Sequence, residues 1–137
     1  MENESNFKKS SGAIIATIEM RLPSLNEYIN VCRTNKYKAA IFKKKLERDI
    51  SVFLCRLPKF EKPVKIHFHW VEENGRRDYD NICAAKKFIL DTLVKLGKLK
   101  NDNRKNVYAF YDTFAYEKKS KVVLYIYEKE ENEEDGE

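Results

Sequence analysis

Two aspartates separated by one residue, Asp78 and Asp80, are the side chains in this sequence best suited to chemistry. They directly follow Arg76 and Arg77 in the stretch Arg-Arg-Asp-Tyr-Asp-Asn-Ile. If the chain is extended here, both carboxylates point to the same side, because alternate residues of a strand share a face. Carboxylates without soft ligands favour a hard cation such as Mg²⁺, and arginines bind phosphate well. The pattern therefore predicts a metal ion beside phosphate groups.

A lysine and a third carboxylate extend this candidate site. Segment 84–96 has helical spacing of its apolar residues and is followed by Gly97, which predicts one amphipathic helix starting near Asp80. On a continuous helix, Lys87 lies two turns above Asp80. We expect the polar loop after the helix to fold back and bring Asp102 to the two aspartates. A metal held there would activate water for phosphodiester hydrolysis.

A D-x-D pattern alone has low specificity, because it also occurs in surface turns and in other enzyme classes. An EF-hand calcium loop is excluded, since Ile82 stands at its fifth position and no acid ends the loop. A nucleotide-sugar transferase is disfavoured by a short, basic chain without glycine-rich phosphate loops. The residues alone therefore predict a magnesium-dependent domain that binds nucleic acid.

Two histidines form another conceivable metal site. His67 and His69 lie on one face of the strand predicted over 64–71, whose other face is apolar. No third ligand with zinc spacing stands nearby, so we expect both histidines to be structural.

Positive charge dominates the body of the chain. The net charge is +5, but residues 128–137 hold seven acids and one lysine, which leaves +11 on residues 1–127. We predict one domain over 1–127, suited to a polyanion, and an acidic disordered tail over 128–137. Three widely spaced cysteines, no signal peptide and no transmembrane segment predict a cytoplasmic protein with free thiols.

The remaining pattern predicts an α+β domain, with a small mixed or antiparallel sheet packed against two main helices. Strands are expected over 13–20, 64–71, 106–116 and 121–127, and the longer of the helices over 37–57. We expect a hairpin at 117–120 and frayed residues over 1–11. A short helix should begin after Ser24, because Glu27 completes a capping box.

The motif around the aspartates resembles the signature of the RusA family, the Holliday junction resolvases (crossover junction endodeoxyribonucleases) of bacteria and their phages. The matching segments are Arg76–Asn81, Lys86–Asp91, Leu96–Gly97 and Asn101–Asp102. The segment Leu22–Asn30, with Arg33, Asn35 and Tyr37, is similar to the N-terminal motif of a phage-type branch. The resemblance runs from about Met20 to Tyr127.

This resemblance implies a homodimeric α+β endonuclease that uses Mg²⁺, with Mn²⁺ as a substitute, and nicks four-way DNA junctions symmetrically. The family's essential carboxylates correspond to Asp78, Asp80 and Asp102, and its catalytic lysine to Lys87. Because the helix is about one turn longer here than in the founding members, Lys86 is an alternative to Lys87. The residues expected to contact DNA are Arg76, Arg77, Lys86, Arg33, Lys36 and Lys44. Expected partners are branched DNA and a second copy of the chain, without a membrane or a small-molecule cofactor.

Two other functions fit the same residues. One is a DNA-binding protein that does not cleave, which the presence of all three carboxylates disfavours. The other is a less selective nuclease that acts on flaps or forks. Magnesium-dependent cleavage tests the first, and the relative cleavage of junction, fork and duplex tests the second.

Overall fold

The computed structural model describes residues 7–10 and 12–130. Within them the chain forms five strands and four helices, which confirms the predicted α+β class and the mixed sheet. The strands are β1 (Phe7–Ser10), β2 (Ala13–Ile18), β3 (Val64–Glu72), β4 (Val107–Tyr116) and β5 (Lys121–Glu128). The helices are α1 (Leu25–Thr34), α2 (Lys36–Leu54), α3 (Tyr79–Cys83) and α4 (Lys86–Lys95).

The sheet has the strand order β1-β2-β5-β3-β4. Its neighbours are antiparallel except for β3 and β4, which run parallel. β3 alternates as the sequence predicts, with Ile66, Phe68 and Trp70 fully buried on one face. Leu124 and Ile126 of β5 lie opposite Phe68 and Ile66 and continue this apolar face. The core is therefore built on one side of the sheet.

The helices supply the other half of the core. Ile50 and Leu54 of α2 and Ile89 and Leu93 of α4 are completely buried in the same cluster as the β3 side chains. Each pair is four residues apart, which places both side chains on one face of its helix. The spacing in the sequence thus sets which helix faces meet the sheet.

The start of α1 follows its predicted cap. The Ser24 hydroxyl accepts a hydrogen bond from Glu27 N at 3.2 Å, and Ser24 N donates to Glu27 Oε1 at 2.6 Å. This reciprocal pair is the capping box expected from the sequence. Asn35 then caps α2 through Oδ1, which accepts from Tyr37 N and Lys38 N. The second cap explains why α1 and α2 are separate helices.

Two expectations about the strands are wrong. Residues 7–10, expected to be frayed, form β1, which pairs with β2 across a turn where Gly12 has φ of 81°. Segment 117–120 is not a hairpin, because β3 lies between β4 and β5. The connection crosses the end of β3, where Glu117 N donates to Glu72 O at 3.0 Å.

The single helix predicted to run from near Asp80 to Leu96 is divided into α3 and α4. A turn at Ala84 and Ala85 separates them, and Gly97 ends α4 with φ of 77°, as the sequence indicates. Because β3 and β4 are parallel, the chain must return to the start of β3 before β4 can begin. The hydrogen bond from Val64 N to Asn106 O, 2.8 Å, joins the two strand starts.

The end of the predicted domain differs by one residue from the end of the last strand. β5 includes Glu128, which the sequence pattern places in the acidic tail, and Lys129 N donates to Pro63 O. The rest of the tail, from residue 131, lies outside the described residues. None of the helices within 12–130 is both long and apolar enough to cross a bilayer.

Candidate metal and nucleic-acid site

Asp78 and Asp80 lie where the chain leaves β3 and begins α3. The main-chain oxygen of Asp78 accepts hydrogen bonds from Asn81 N and Ile82 N, so Asp78 occupies the N-cap position. Its side chain makes no cap hydrogen bond. Both carboxylates are exposed, and within the described residues neither forms an ion pair or a hydrogen bond. They are therefore available to a cation from solution.

The two arginines of the motif differ in their environments. The Arg77 guanidinium donates to Leu22 O and to Glu27 Oε1, each at 3.1 Å, and lies 3.5 Å from Glu72 Oε1. It joins the end of β3 to the loop before α1, and its side chain is only 13% exposed. Arg76 is exposed. Of the two predicted phosphate contacts, Arg76 is thus the accessible one.

The break between α3 and α4 separates the roles of the two lysines. Lys87 is 71% exposed, and its Nζ lies 3.5 Å from Asp91 Oδ1 on the same helix. The Lys86 side chain is only 14% exposed, and its Nζ lies 2.8 Å from Asp112 Oδ2 on β4. The continuous helix that would place Lys87 over Asp80 is absent.

Asp112 is the site residue that the sequence reasoning missed. Its Oδ1 accepts a hydrogen bond from Trp70 Nε1 at 2.8 Å, while Oδ2 accepts one from Lys86. The Lys86 ammonium also lies over the rings of Phe110, at 4.1 Å, and Phe68, at 5.2 Å. A signal for Asp112 is present in the sequence, because it is the lone charged residue of β4. It lies opposite the buried Phe68, on the strand face that points to the core.

The Cys83 thiol is influenced by charges on α3, α4 and β4. Burial raises the pKa of the Cys83 thiol, and the carboxylates of Asp112 and Asp80 raise it further, whereas Lys86 opposes them. Of these charges, Lys86 and Asp112 are in direct contact through their ion pair.

Asp102 lies toward the other end of β3. Val107 N donates to Asn103 O at 2.9 Å, which holds this loop against the start of β4. Since β3 spans nine residues, or about 27 Å, the loops at its two ends are far apart. The expected fold-back of Asp102 to the aspartate pair is absent, because parallel pairing of β3 and β4 places their preceding loops together. Over residues 12–130, no three His, Cys, Asp or Glu side chains are grouped to hold a metal.

Aromatic side chains of β4 contact the segment that carries the aspartates. The ring of Tyr79, between them in sequence, is stacked on Phe114 of β4 with centroids 3.9 Å apart and planes at 7°. Tyr116, two residues further along β4, lies against Gly75, where an added Cβ would come within 3.3 Å of the tyrosine hydroxyl. The absence of a side chain at Gly75 therefore lets the loop before Asp78 approach the strand.

A basic surface begins near the same helix. Asn26 N, in the first turn of α1, donates to Asn81 Oδ1 at 3.1 Å and so joins α1 to α3. Arg33 follows seven residues later, about 10 Å along the helix axis. Arg33, Lys36 and Lys44 are exposed and have no ion-pair partner in the described part of the chain. Three of the predicted DNA contacts are thus free to meet phosphate.

The two histidines are bound to one threonine on the sheet face away from the core. The Thr113 hydroxyl lies 2.6 Å from His67 Nε2 and 2.7 Å from His69 Nδ1, so it can donate to one ring and accept from the other. His67 is also stacked between Tyr111 and Tyr125. These contacts suit the structural role that we expected.

Compared with models of known protein families, the chain matches none, and a search of curated proteins finds no significant match. The resemblance to the RusA family therefore rests on the motif residues themselves. The geometry of those residues is the basis for the proposal that follows.

Proposed function

We propose that this protein is a magnesium-dependent endonuclease of the RusA type that resolves four-way DNA junctions. The observation that carries the proposal is the pair of exposed carboxylates, Asp78 and Asp80, at the start of a helix that is hydrogen-bonded to the first turn of α1. Two exposed carboxylates and no soft ligand suit a hard cation. Mg²⁺ is commonly held by one or two carboxylates, with water and substrate phosphate completing its shell.

The chemistry requires water and a DNA phosphate at the aspartate pair. Bound there, Mg²⁺ would activate a water and stabilise the charge that develops on the phosphate. The start of α3 fixes the main chain of Asp78 and Asp80 and thereby orients their carboxylates. In this proposal a phosphate oxygen takes the place that the family resemblance gives to Asp102.

Lys86 is the proposed catalytic lysine. Its ammonium has three donors, and Asp112 takes one of them, which leaves donors for a phosphate oxygen. Asp112 and the two aromatic rings restrict where the ammonium can lie. Lys87 lies in a different environment, paired with Asp91 on the α2-facing side of the molecule, where Asp91 also meets Lys43 at 3.3 Å.

The surrounding basic residues are proposed to hold the DNA. Arg76 contacts the phosphates that flank the cleaved bond, and Arg33, Lys36 and Lys44 support a junction arm. Arg77 instead positions the loop that carries the aspartates. A homodimer in the cytoplasm would supply two such sites, related by a two-fold axis, for symmetric nicks.

A second candidate is a protein that binds branched DNA without cutting it. The observation that favours it is the lack of a third ligand beside Asp78 and Asp80 within the described residues. A third candidate is a less selective nuclease that acts on flaps or forks. These candidates differ in their metal dependence and in their preference among DNA shapes.

The test uses end-labelled four-way junction, fork and linear duplex of shared sequence, each with Mg²⁺ and with a chelator. The proposal predicts cleavage of the junction only with Mg²⁺, at paired positions on opposing strands. Binding without cleavage in Mg²⁺ or Mn²⁺ identifies the non-cutting protein. Equal cleavage of all three substrates identifies the less selective nuclease.

A further inference from the structure

Tyr79 occupies an unusual position for an exposed aromatic residue. Tyr79 stands between Asp78 and Asp80 in the sequence, and the residue as a whole is 57% exposed. One face is covered by Phe114, at a centroid distance of 3.9 Å and an interplanar angle of 7°. The opposite face is thereby presented to solvent, on the residue that separates the two aspartates in the sequence.

The ring is held in place by its surroundings. Phe114 belongs to β4, whose register with β3 places it opposite the buried Trp70. The main chain of α3 is fixed at the N-cap by Asp78 and from the side by the bond between Asn26 and Asn81. A planar ligand that stacks on Tyr79 therefore meets a surface that loses little conformational entropy on binding.

We propose that Tyr79 stacks on an unpaired nucleobase of the DNA strand whose phosphate lies at Asp78 and Asp80. The inference rests on the proposed function, because that function puts a DNA strand within reach of the ring. Aromatic side chains stack on bases of any sequence, and the energy is sufficient to change affinity severalfold to more than tenfold. Bases in an intact duplex are stacked on their neighbours, and removing one costs free energy. This cost is smaller at a branch point, where the stacking is already disturbed. Tyr79 thereby favours branched DNA over duplex.

The experiment measures binding without cleavage, in the Asp80→Asn background. A junction carrying 2-aminopurine beside the cleaved phosphate is titrated with protein that has Tyr79, Tyr79→Phe or Tyr79→Leu. We expect the probe's fluorescence to change similarly on binding to the first two proteins and to stay unchanged with Tyr79→Leu. Junction affinity should fall about tenfold with Tyr79→Leu, and duplex affinity should fall less.

The matched control is Tyr108→Leu, at the other end of β4, where a tyrosine is also exposed. It should leave probe fluorescence and affinity as in the parent. Urea unfolding of each variant separates a folding defect from a binding defect, and Tyr79→Phe keeps the ring if Tyr79→Leu does not fold.

An unchanged probe signal and affinity in Tyr79→Leu would overturn the inference while leaving the proposed function intact. Loss of self-association in that variant, with DNA binding unchanged, would show that a second copy of the chain covers the ring instead. If the parent neither binds nor cuts any of the DNAs, the proposed function fails first, and the inference fails with it.

Discussion

Lys86 Nζ lies 2.8 Å from Asp112 Oδ2, so the first residue of α4 is joined to the edge strand β4. The lysine adjacent to it in sequence, Lys87, makes its ion pair on α4 itself. This difference follows from the break between α3 and α4. Successive residues at the start of a helix point in different directions, and here one points to the sheet and the other to solvent.

Replacement of Lys86 by Met should destabilise the protein by about 1–3 kcal/mol, because it leaves the half-buried Asp112 without its cation. The matched control is Lys87→Met, whose lost ion pair is well exposed and should change stability by about 0.5 kcal/mol or less. Urea unfolding measures both. Equal effects would show that the Lys86–Asp112 pair contributes nothing beyond an exposed pair.

The two arginines of the motif should give opposite results. Arg77→Ala should lower the free energy of unfolding by about 2–4 kcal/mol, since it leaves Leu22 O and Glu72 without their partner. Burial already raises the pKa of Glu72, and Arg77 opposes this effect, so the loss of Arg77 should raise that pKa further. Arg76→Ala should leave stability unchanged but weaken DNA binding, with a reduced salt dependence.

Unfolding curves and a salt series of binding measurements test this pair together. A stable Arg77→Ala protein with weakened DNA binding would contradict the structural role of that guanidinium. An unchanged salt dependence in Arg76→Ala would remove that arginine from the phosphate contacts.

Acidification should destabilise the fold through His67. Burial lowers the pKa of His67, the nearby His69 lowers it further, and Asp112 opposes them. Because the folded state binds its proton less readily than the unfolded state, His67 contributes stability above the unfolded pKa of about 6.5. That contribution is lost as pH falls from there through the lower folded pKa.

His67→Phe keeps a ring between Tyr111 and Tyr125 and removes this titration. The stability of the variant should therefore vary less than that of the parent between about pH 7.5 and 5. Thermal unfolding over that range provides the measurement. Parallel stability curves for the two proteins would assign the acid sensitivity to other groups.

Asp102→Asn should retain junction cleavage that Asp80→Asn loses, because Asp102 lies toward the other end of β3. Cleavage rates at saturating protein compare the two variants directly. If Asp102→Asn is also inactive, mixing it with Asp80→Asn shows where the third carboxylate comes from. Recovery of activity in the mixture would mean that one subunit supplies Asp102 to the site of its partner.

The sequence predicted local structure well where the signal was local. The capping box of Ser24 and Glu27, the alternation along β3 and the stop at Gly97 all depend on neighbouring residues, and the structure contains each of them. The helix break at Ala84 and Ala85 carries no such signal, because alanine favours an uninterrupted helix. Packing of Ile82 and Ala85 into the core accompanies the break.

The features that the sequence could not predict depend on contacts between distant parts of the chain. The position of Asp102 depends on whether β4 pairs parallel or antiparallel with β3, and neither strand encodes that choice in its own alternation. Asp112 and Arg77 acquire distant partners only on folding, since Lys86 and Asp112 are 26 residues apart in the sequence and Glu27 and Arg77 are 50 apart. The aspartate pair could be found from spacing alone, whereas the different environments of Lys86 and Lys87 required the fold.

The most direct test of the central claim is junction cleavage by Asp78→Asn and Asp80→Asn at protein concentrations that give equal DNA binding. Asp49→Asn is the control, since Asp49 lies on α2 and is paired with Lys45. With Mg²⁺, each site variant should bind the junction and unfold like the parent, but cut at least about a hundredfold more slowly. Cleavage by both variants at the rate of the Asp49→Asn control would contradict the assignment of this pair as the metal site.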